Sequence, residues 1–381
     1  MRIIFTGGGT GGHIFPNMAV IDELKKITND ELLMTNGVFY IGEKGGPEEK
    51  IAEARGIIFY GIHTGKLRRY FDWRNFVDVL KVPIGFFESL RILKKLNPDL
   101  VFAKGGYVSV PVVLAARFLR IPVWLHESDV SPGLANKICS RFAQKIWLSF
   151  EESRKFFKNQ NAEVVGNPIR REILKGDKAH GYKLTGFSQK HPIILIMGGS
   201  TGAKSLNKLV EAILPQLTKK AQIIHVTGTH ELSECASSYR PRRAQPLLSK
   251  YRFASTHYKT FEFLNEELAH IYSIADLIVS RAGSGGIFEA LAWHKPMILI
   301  PLPKTASRGD QIENAAVFEK HGWAMALDQN TLTPSKFLNS IQAFLQNEHL
   351  QAAMTERQKK AKFMHAASRI AEAIRKFRQK P

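Results

Sequence analysis

Met1–His13 reads MRIIFTGGGTGGH: a short apolar run passes straight into five glycines, with one histidine at the far end. Pro192–Ala203, PIILIMGGSTGA, repeats that form in the second half of the chain. In parallel α/β sheets such a junction sets bare backbone N–H groups and a helix N-terminus at the ligand crevice, and glycine lets a phosphate or sugar approach the backbone. His13 falls in the first helical turn after the loop. The positive helix end favours neutral imidazole there, which can take a proton from an attacking hydroxyl. The plainer alternative is a histidine hydrogen-bonded in a cleft wall. Ser280–Gly286, SRAGSGG, opens a helix carrying Glu289. Its small residues, Gly283 and Ser284 among them, expose N–H groups for a diphosphate, Arg281 adds charge, and Glu289 can accept hydrogen bonds from a ribose. A glycine-rich loop packed on a neighbouring strand is the competing reading. His126-Glu127-Ser128-Asp129 follows a strand end and reads as polar cleft lining, since neighbours in sequence do not make a triad.

Other chemistries fit less well. Gly7-x-Gly9-x-x-Gly12 matches the dinucleotide fingerprint, but an NAD site wants an acidic residue about 20 residues on. Glu43 lies further along and is followed by Lys44. No Asp-x-Asp occurs, and His230-Glu231-Leu232-Ser233-Glu234 lacks the second histidine of a zinc helix, so no metal site is expected. Cys139 and Cys235 are the only cysteines, too few for a disulfide framework, which points to a reducing compartment. The first residues read as a strand and a glycine loop, not a signal peptide. No apolar stretch approaches the roughly 20 residues of a membrane span.

Lys and Arg number 54 against 34 Asp and Glu, a formal charge of +20. That surplus implies a polyanionic partner, a phosphorylated substrate or anionic lipid. No zinc-finger or RNA-recognition signature occurs, so nucleic acid is not expected. In Leu67–Leu96, aromatic and aliphatic residues (Tyr70, Phe71, Trp73, Phe76, Ile84, Phe86, Phe87) interleave with Arg68, Arg69, Arg74, Lys81, Arg91, Lys94 and Lys95. The mix suits an anionic lipid surface. An ordinary helix pair with a solvated basic face fits it equally.

Positioning these residues takes alternating strands and helices. Strands are expected at Arg2–Phe5, Val38–Ile41, Leu100–Phe102, Pro122–Leu125, Ile193–Met197, Ile223–Val226, Leu277–Val279 and Met297–Ile300, with helices at Pro16–Lys26, Glu48–Arg55 and Val110–Phe118. The fold class is α/β: two Rossmann-like domains whose parallel sheets face a deep cleft. Residues 1–164 form the first domain and 165–355 the second. Residues 356–381 form a basic helix expected to pack back on the first. Val164–Pro168, rich in turn formers, is the hinge, and the polar stretch 176–191 reads as a surface loop.

Taken together, the motifs resemble the MurG family of bacterial glycosyltransferases. The resemblance runs in register through GGGTGGH at 7–13, KGGYVSVP at 104–111, HESDVSPGLANK at 126–137, VGNPIR at 165–170, GGSTGA at 198–203, SRAGS at 280–284 with Glu289, and SRGDQIENA at 307–315. It implies a GT-B fold and inverting transfer of N-acetylglucosamine from UDP-GlcNAc to undecaprenyl-diphosphate-linked N-acetylmuramoyl-pentapeptide (lipid I), giving lipid II for peptidoglycan. On the donor side it implies Ser200 and Arg170 at the phosphates, with Asn207, Arg281, Gly283 and Ser284 nearby. Leu264 would hold uracil, Glu289 the ribose, and Asp310 with Gln311 the sugar. On the acceptor side it implies Thr10, Gly11, Gly12, Tyr107, His126 and Asn136, with His13 as base and Glu127 or Asp129 in reserve. It implies no metal and no cofactor, with helix N-termini and arginines stabilising departing UDP. The implied partners are UDP-GlcNAc, lipid I and anionic inner-leaflet lipids, with other cell-wall synthesis and division proteins. The implied location is peripheral, on the cytoplasmic face of the bacterial cell membrane.

Two motifs depart from the family pattern. Many members read His-Glu-Gln-Asn where this chain has His126-Glu127-Ser128-Asp129, and Gln-Gln where it has Asp310-Gln311. A carboxylate at Asp129 changes acceptor contacts or supplies the base. The rival readings are a GT-B transferase acting on another membrane lipid such as a diacylglycerol, a non-catalytic nucleotide-sugar-binding protein, and an NAD-dependent enzyme.

Overall fold

A computed structural model describes residues 1–28, 37–65, 74–158, 161–198, 204–228, 256–361, 363 and 365–378. Among the motifs above, Gly199–Ala203 with Ser200, the basic-aromatic residues 66–73, and 229–255 with His230 and Cys235 lie outside the described residues.

The chain divides into two compact units: Met1–Arg170 with Lys362–Pro381, and Arg171–Ala361. The first division falls after the VGNPIR run rather than at 164/165. Val165 is buried in the first unit's core and Gly166, at φ +90°, abuts Phe363.

The first unit holds a parallel sheet of seven strands: β1 (Ile3–Thr6), β2 (Val38–Glu43), β3 (Ile58–Ile62), β4 (Leu100–Ala103), β5 (Val123–Glu127), β6 (Lys145–Leu148) and β7 (Ala162–Val164), in the order β3-β2-β1-β4-β5-β6-β7. Its inner strands are apolar on both faces, as a sheet covered on both sides requires. Ile3, Phe5, Val38, Tyr40, Leu100 and Phe102 face one core. Ile4, Phe39, Ile41, Val101 and Ala103 face the other. The first core is closed by helix α1 (Gly11–Thr28) and the terminal helix Ala366–Arg378. Ile370 and Ile374 of the terminal helix join the cluster of Met18 and Ile21, and Ser368 donates to Glu23, 2.9 Å.

Helix α1 starts five residues before the expected Pro16. Proline lacks an N–H and so leaves the Gly12 carbonyl without its helical donor, yet the glycine loop already turns into the helix ahead of it. Helices α2 (Pro47–Ala54), α3 (Arg74–Leu96), α4 (Ser109–Phe118) and α5 (Leu134–Ser140) complete the unit.

The second unit carries a parallel sheet of six strands: β8 (Ile193–Met197), β9 (Gln222–Val226), β10 (Tyr258–Phe261), β11 (Leu277–Ser280), β12 (Met297–Leu299) and β13 (Met325–Ala326), in the order β10-β9-β8-β11-β12-β13. The stretch expected to be a surface loop contains helix α6 (Lys178–Thr185). Asp177 caps it by accepting from the His180 N–H, 2.6 Å, and Gly186 ends it at φ +72°. These are standard stop and start signals, outweighed in the sequence by the polarity of the run. Further helices are α7 (Lys204–Leu217), α8 (Glu267–Ile274), α9 (Ser284–Ala292), α10 (Asp310–Lys320), α11 (Pro334–Gln346) and α12 (Glu348–Lys359), followed by the terminal helix, α13.

Both sheets reverse strand order beside their first strand. Ligands of open α/β sheets bind at such switch points, at the carboxyl ends of the strands. In the first sheet the point lies between β1 and β4, whose ends lead into Gly7–Thr10 and Lys104–Tyr107. In the second it lies between β8 and β11, whose ends lead toward 198–203 and Arg281–Gly283.

Candidate functional sites of the two units

In the first unit the glycine loop is held from below. Gly7 and Gly9 sit at φ +148° and +81°, which only glycine adopts readily. Tyr40, wholly buried on β2, donates its hydroxyl to the Gly7 carbonyl. Asn17 on α1 donates to the Thr6 carbonyl, 3.2 Å, and to the Tyr40 hydroxyl oxygen, 3.1 Å. Glu48 lies under the loop with no exposed surface and accepts from the N–H groups of Glu43, 2.8 Å, and Gly9, 3.3 Å. Burial raises its pKa, while those N–H groups pull it down. A Cβ at Gly8 would stand 2.1 Å from the Glu48 carboxylate. Asn17, Tyr40 and Glu48 carry no motif; only the fold brings them to the loop.

The second loop closes over the first. The Lys104 N–H donates to the Thr6 carbonyl, 2.9 Å. Tyr107 lays its ring against Gly9 and donates its hydroxyl to Glu43, 2.6 Å. Thr64 donates to the other Glu43 oxygen, 2.9 Å. Glu43, the residue nearest to the acid of a dinucleotide site, therefore spends its carboxylate tying β2 to this loop. His13 pairs through Nδ1 with the Thr10 hydroxyl, 3.0 Å, and a Cβ at Gly106 would stand 3.4 Å from that nitrogen. The loop geometry thus brings Thr10, Gly11, Gly12, His13 and Tyr107 to one strand end.

The 126–129 run divides. His126, expected to line the substrate, is wholly buried and donates from Nε2 to the Gly166 carbonyl, 3.0 Å. Burial holds it neutral, well below the ordinary histidine range, with the Lys104 charge adding to the effect. Glu127, expected as a reserve base, is 2% exposed. Its two oxygens accept from Asn136 Nδ2, 2.7 Å, and the Asp129 N–H, 2.9 Å. Burial, then the Asp129 charge, pushes it up to about 7. With both oxygens so engaged, Glu127 ties the Asp129 backbone to Asn136. Consecutive on β5, the His126 and Glu127 side chains point to opposite faces of a sheet covered on both sides, so both are buried. Asp129, just past the strand, is half-buried.

In the second unit, α9 begins at the expected turn. Gly283 is its N-cap, with no side-chain bond to the first turn, and Asn314 of α10 steadies the loop by donating to the Ala282 carbonyl, 3.1 Å. The N–H groups of Ser284, Gly285 and Gly286 open the helix, and Glu289 lies half-buried further along it. Leu264 is buried while its neighbour Phe263 is 50% exposed. Gln311 accepts from the Leu302 N–H, 3.1 Å, and Asp310 pairs with Arg308, 3.3 Å. Arg170, at the edge of the first unit, stacks over Phe15 with its guanidinium carbon 4.3 Å from the ring centre.

Two residues expected at the substrate are buried and hydrogen-bonded within the second unit. Arg281, 4% exposed, donates to the Ile300 carbonyl, 2.9 Å, and to Ser205 Oγ, 2.7 Å; burial brings it down to about 10. Asn207, 2% exposed, donates to the Thr227 carbonyl, 3.0 Å, and faces His225 Nε2, 3.1 Å. Each joins α7 or a strand end to its neighbour, a packing demand that the motif does not display.

His225 itself gives a pH test. Burial lowers it to about 4, against an ordinary 6.5. Between those values the unfolded chain holds the extra proton, so stability rises with pH and is lost as pH falls through about 4. The full effect is about 3 kcal/mol. The thermal midpoint of His225→Gln should fall less steeply between about pH 7 and 4.5 than that of the parent. Parallel curves would show that His225 titrates normally in the folded unit.

The glycosyltransferase family 28 N-terminal domain matches residues 3–148, and the family 28 C-terminal domain residues 193–370. The UDP-N-acetylglucosamine–N-acetylmuramyl-(pentapeptide) pyrophosphoryl-undecaprenol N-acetylglucosamine transferase of Shouchella clausii is 44% identical over 341 residues, covering 90% of each chain. The Clostridium botulinum (strain Kyoto) transferase of the same name is 42% identical over 376 residues, covering 99% of each. The crystal structure of Acinetobacter baumannii MurG superposes with a TM-score of 0.73 at 28% identity, over 98% of this chain and 99% of that one. The Neisseria meningitidis UDP-GlcNAc 2-epimerase, 15% identical with a TM-score of 0.64 over 99% of this chain and 100% of that one, shares the fold alone. With both domains matched in order and relatives aligned along almost their whole length, this chain belongs to glycosyltransferase family 28, among the MurG transferases.

Proposed function

We propose that this chain moves N-acetylglucosamine from UDP-GlcNAc to the muramoyl C4 hydroxyl of lipid I, with inversion and without a metal, forming lipid II. The observation that carries the reading is that the glycine turns opening α1 and α9 stand at the switch points of two sheets. Each supplies N–H groups to a diphosphate: one for the acceptor lipid, one for UDP. His13 takes the proton of the attacking hydroxyl as the new glycosidic bond forms and the bond to UDP breaks. The first N–H groups of α9 meet the charge that develops on departing UDP. Thr10, Gly11, Gly12, Tyr107 and Asn136 shape the acceptor end. Glu289 takes the ribose, the Leu264 backbone takes uracil, and Gln311 with Asp310 takes the sugar. Arg170 and Ser200 serve the phosphates. His126, Glu127, Asn207 and Arg281 act one step back, by holding these groups.

The test is transfer of labelled N-acetylglucosamine from UDP-GlcNAc to a short-chain lipid I analogue, with EDTA present and a diacylglycerol acceptor in parallel. Product on lipid I alone is expected. Product only on diacylglycerol moves the function to another lipid; UDP binding without product moves it to a binding role. Product lost only with EDTA overturns the metal-free step.

The acceptor is lipid-linked, and the first unit has a surface suited to lipid. Gly85, Ser89, Leu93 and Leu96 turn the buried side of α3 inward. Ile84 and Phe87 on its outer side are 50% and 62% exposed, and Phe118 of α4 is 67% exposed. Phe86 joins the two aromatic residues edge to face, at 5.4 and 6.2 Å. Arg91, Lys94, Lys95 and Arg117 are exposed on the same two helices. Among the described residues no helix is long and apolar enough to cross a membrane. We place the chain at the cytoplasmic face of the cell membrane through this patch. Phe87→Ser with Phe118→Ser should weaken partition into anionic vesicles at least about tenfold, from lost apolar burial. Unchanged partition would mark the patch as an ordinary surface.

A further inference from the structure

Glu43 carries none of the roles above, yet it holds a residue that does. It is the last residue of β2 and is half-buried there. One of its oxygens accepts from the Tyr107 hydroxyl, 2.6 Å, and the other from Thr64, 2.9 Å. The two partners are placed differently. Thr64 is 5% exposed, and the residue before it is fastened to α3. The His63 N–H donates to one Glu88 oxygen, 2.7 Å, its ring pairs with the other, 2.7 Å, and a Cβ at Gly85 would stand 2.1 Å from the His63 carbonyl oxygen. Leu93 and Leu96 in turn set α3 in the core. Tyr107 follows Gly105 and Gly106, at φ +102° and +80°, a stretch whose backbone tolerates other paths. Its ring lies on the glycine loop: a Cβ at Gly9 would stand 2.8 Å from its Cε1. The Glu43 carboxylate thus ties the tip of a ring on a permissive loop to an anchored point of the fold.

We propose that Glu43 is a positioning residue for the acceptor: by taking the Tyr107 hydroxyl it keeps that ring on Gly9, and so sets the shape of the strand end that the lipid-linked sugar enters. This rests on the reading that Tyr107 shapes the acceptor end. Without the carboxylate the ring is no longer held at its tip, and acceptor binding must order it, which weakens binding without altering the chemistry. Glu43, Thr64 and Tyr107 all belong to the first unit, so the donor side is left as it was.

The test is a double-mutant cycle on the full chain, with the thermal midpoint, kcat and both KM values measured for the lipid I analogue and UDP-GlcNAc. Glu43→Ala and Tyr107→Phe remove the same bond from opposite ends. Each should raise the acceptor KM at least about tenfold, with the donor KM unchanged. Together they should raise it no more than about threefold beyond the larger single effect, since both delete one interaction. Glu43→Gln, whose amide oxygen can still accept from the Tyr107 hydroxyl, should return the acceptor KM to within about threefold of the parent. Single effects that multiply overturn the proposal, as does a Glu43→Gln variant no better than Glu43→Ala. A lowered thermal midpoint with both KM values unchanged also overturns it, since the bond is then structural only. Should Glu43→Ala not fold, Tyr107→Phe, which leaves β2 intact, decides: an acceptor KM within about threefold of the parent overturns the proposal. Tyr107→Ala removes the ring itself and tests the reading beneath. If it too keeps acceptor kcat and KM within about threefold of the parent, the acceptor-site reading fails and the proposal with it. If it alone raises the acceptor KM, that reading stands and the proposal is overturned.

Discussion

His13→Ala should lower kcat for transfer to lipid I at least about a hundredfold, the low end of what a positioned general base contributes. The donor KM should stay unchanged. The imidazole sits in the first turn of α1, and its Nδ1 pairs with Thr10, 3.0 Å. That contact fixes the ring. Glu127 is a poor competitor: it is 2% exposed, and both oxygens already accept hydrogen bonds. Asp129, half-buried past the strand end, is the remaining carboxylate with access. His13→Gln separates the two functions of the ring, since it can keep a bond to Thr10 while holding no basic nitrogen. It should be as slow as His13→Ala. Near-normal turnover of both variants would remove His13 from the chemistry and pass the proton to Asp129, which Asp129→Asn would then show as the slow variant.

Much of this arrangement is legible in the sequence, for identifiable reasons. Apolar runs ending in glycine announce strand ends, and Ile193–Met197 coincides with the observed β8 residue for residue. The strands that leave no such mark are those with interrupted or very short apolar runs. β3 and β10 are edge strands with partly exposed side chains, β7 has three residues, β13 has two, and β6, four residues opening on Lys145, runs into Ser149 rather than a glycine turn. The loops' chemistry is visible, but their supports are not. Glu48 reads as an ordinary acidic residue of a short helix, yet it lies wholly buried beneath Gly8. Tyr40 and Asn17 look like core and helix surface, yet they hold the Gly7 and Thr6 carbonyls. Such contacts join residues distant in sequence, and no local period encodes them. The same limit hides the burial of four residues that the motifs place at the substrate or the chemistry. His126, Glu127, Asn207 and Arg281 sit in the right loops, while side-chain direction is set by packing.

The hidden supports make a substitution of one methyl group consequential. Gly105→Ala should lower acceptor kcat/KM roughly a hundredfold, while UDP binding is unaffected. Two costs combine. Gly105 lies at φ +102°, where a side chain strains the backbone by about 1–3 kcal/mol. Its new Cβ would stand 2.4 Å from Asn136 Oδ1, and Asn136 is 5% exposed with little room to retreat. When it moves, the 2.7 Å bond from Asn136 Nδ2 to Glu127 goes with it. A hydrogen bond to a charged group contributes about 1.5–3 kcal/mol. Together they reach about 3 kcal/mol or more at the acceptor end, which converts to about a hundredfold. Gly45→Ala separates strain from displacement. Gly45 is also left-handed, at φ +75°, but a Cβ there meets nothing within 4 Å. It should lower the thermal midpoint while leaving transfer unchanged. If Gly45→Ala slowed transfer as much as Gly105→Ala, general destabilisation would account for both. If Gly105→Ala alone slows it, the Asn136–Glu127 bond beneath the second loop is what keeps the acceptor end in shape.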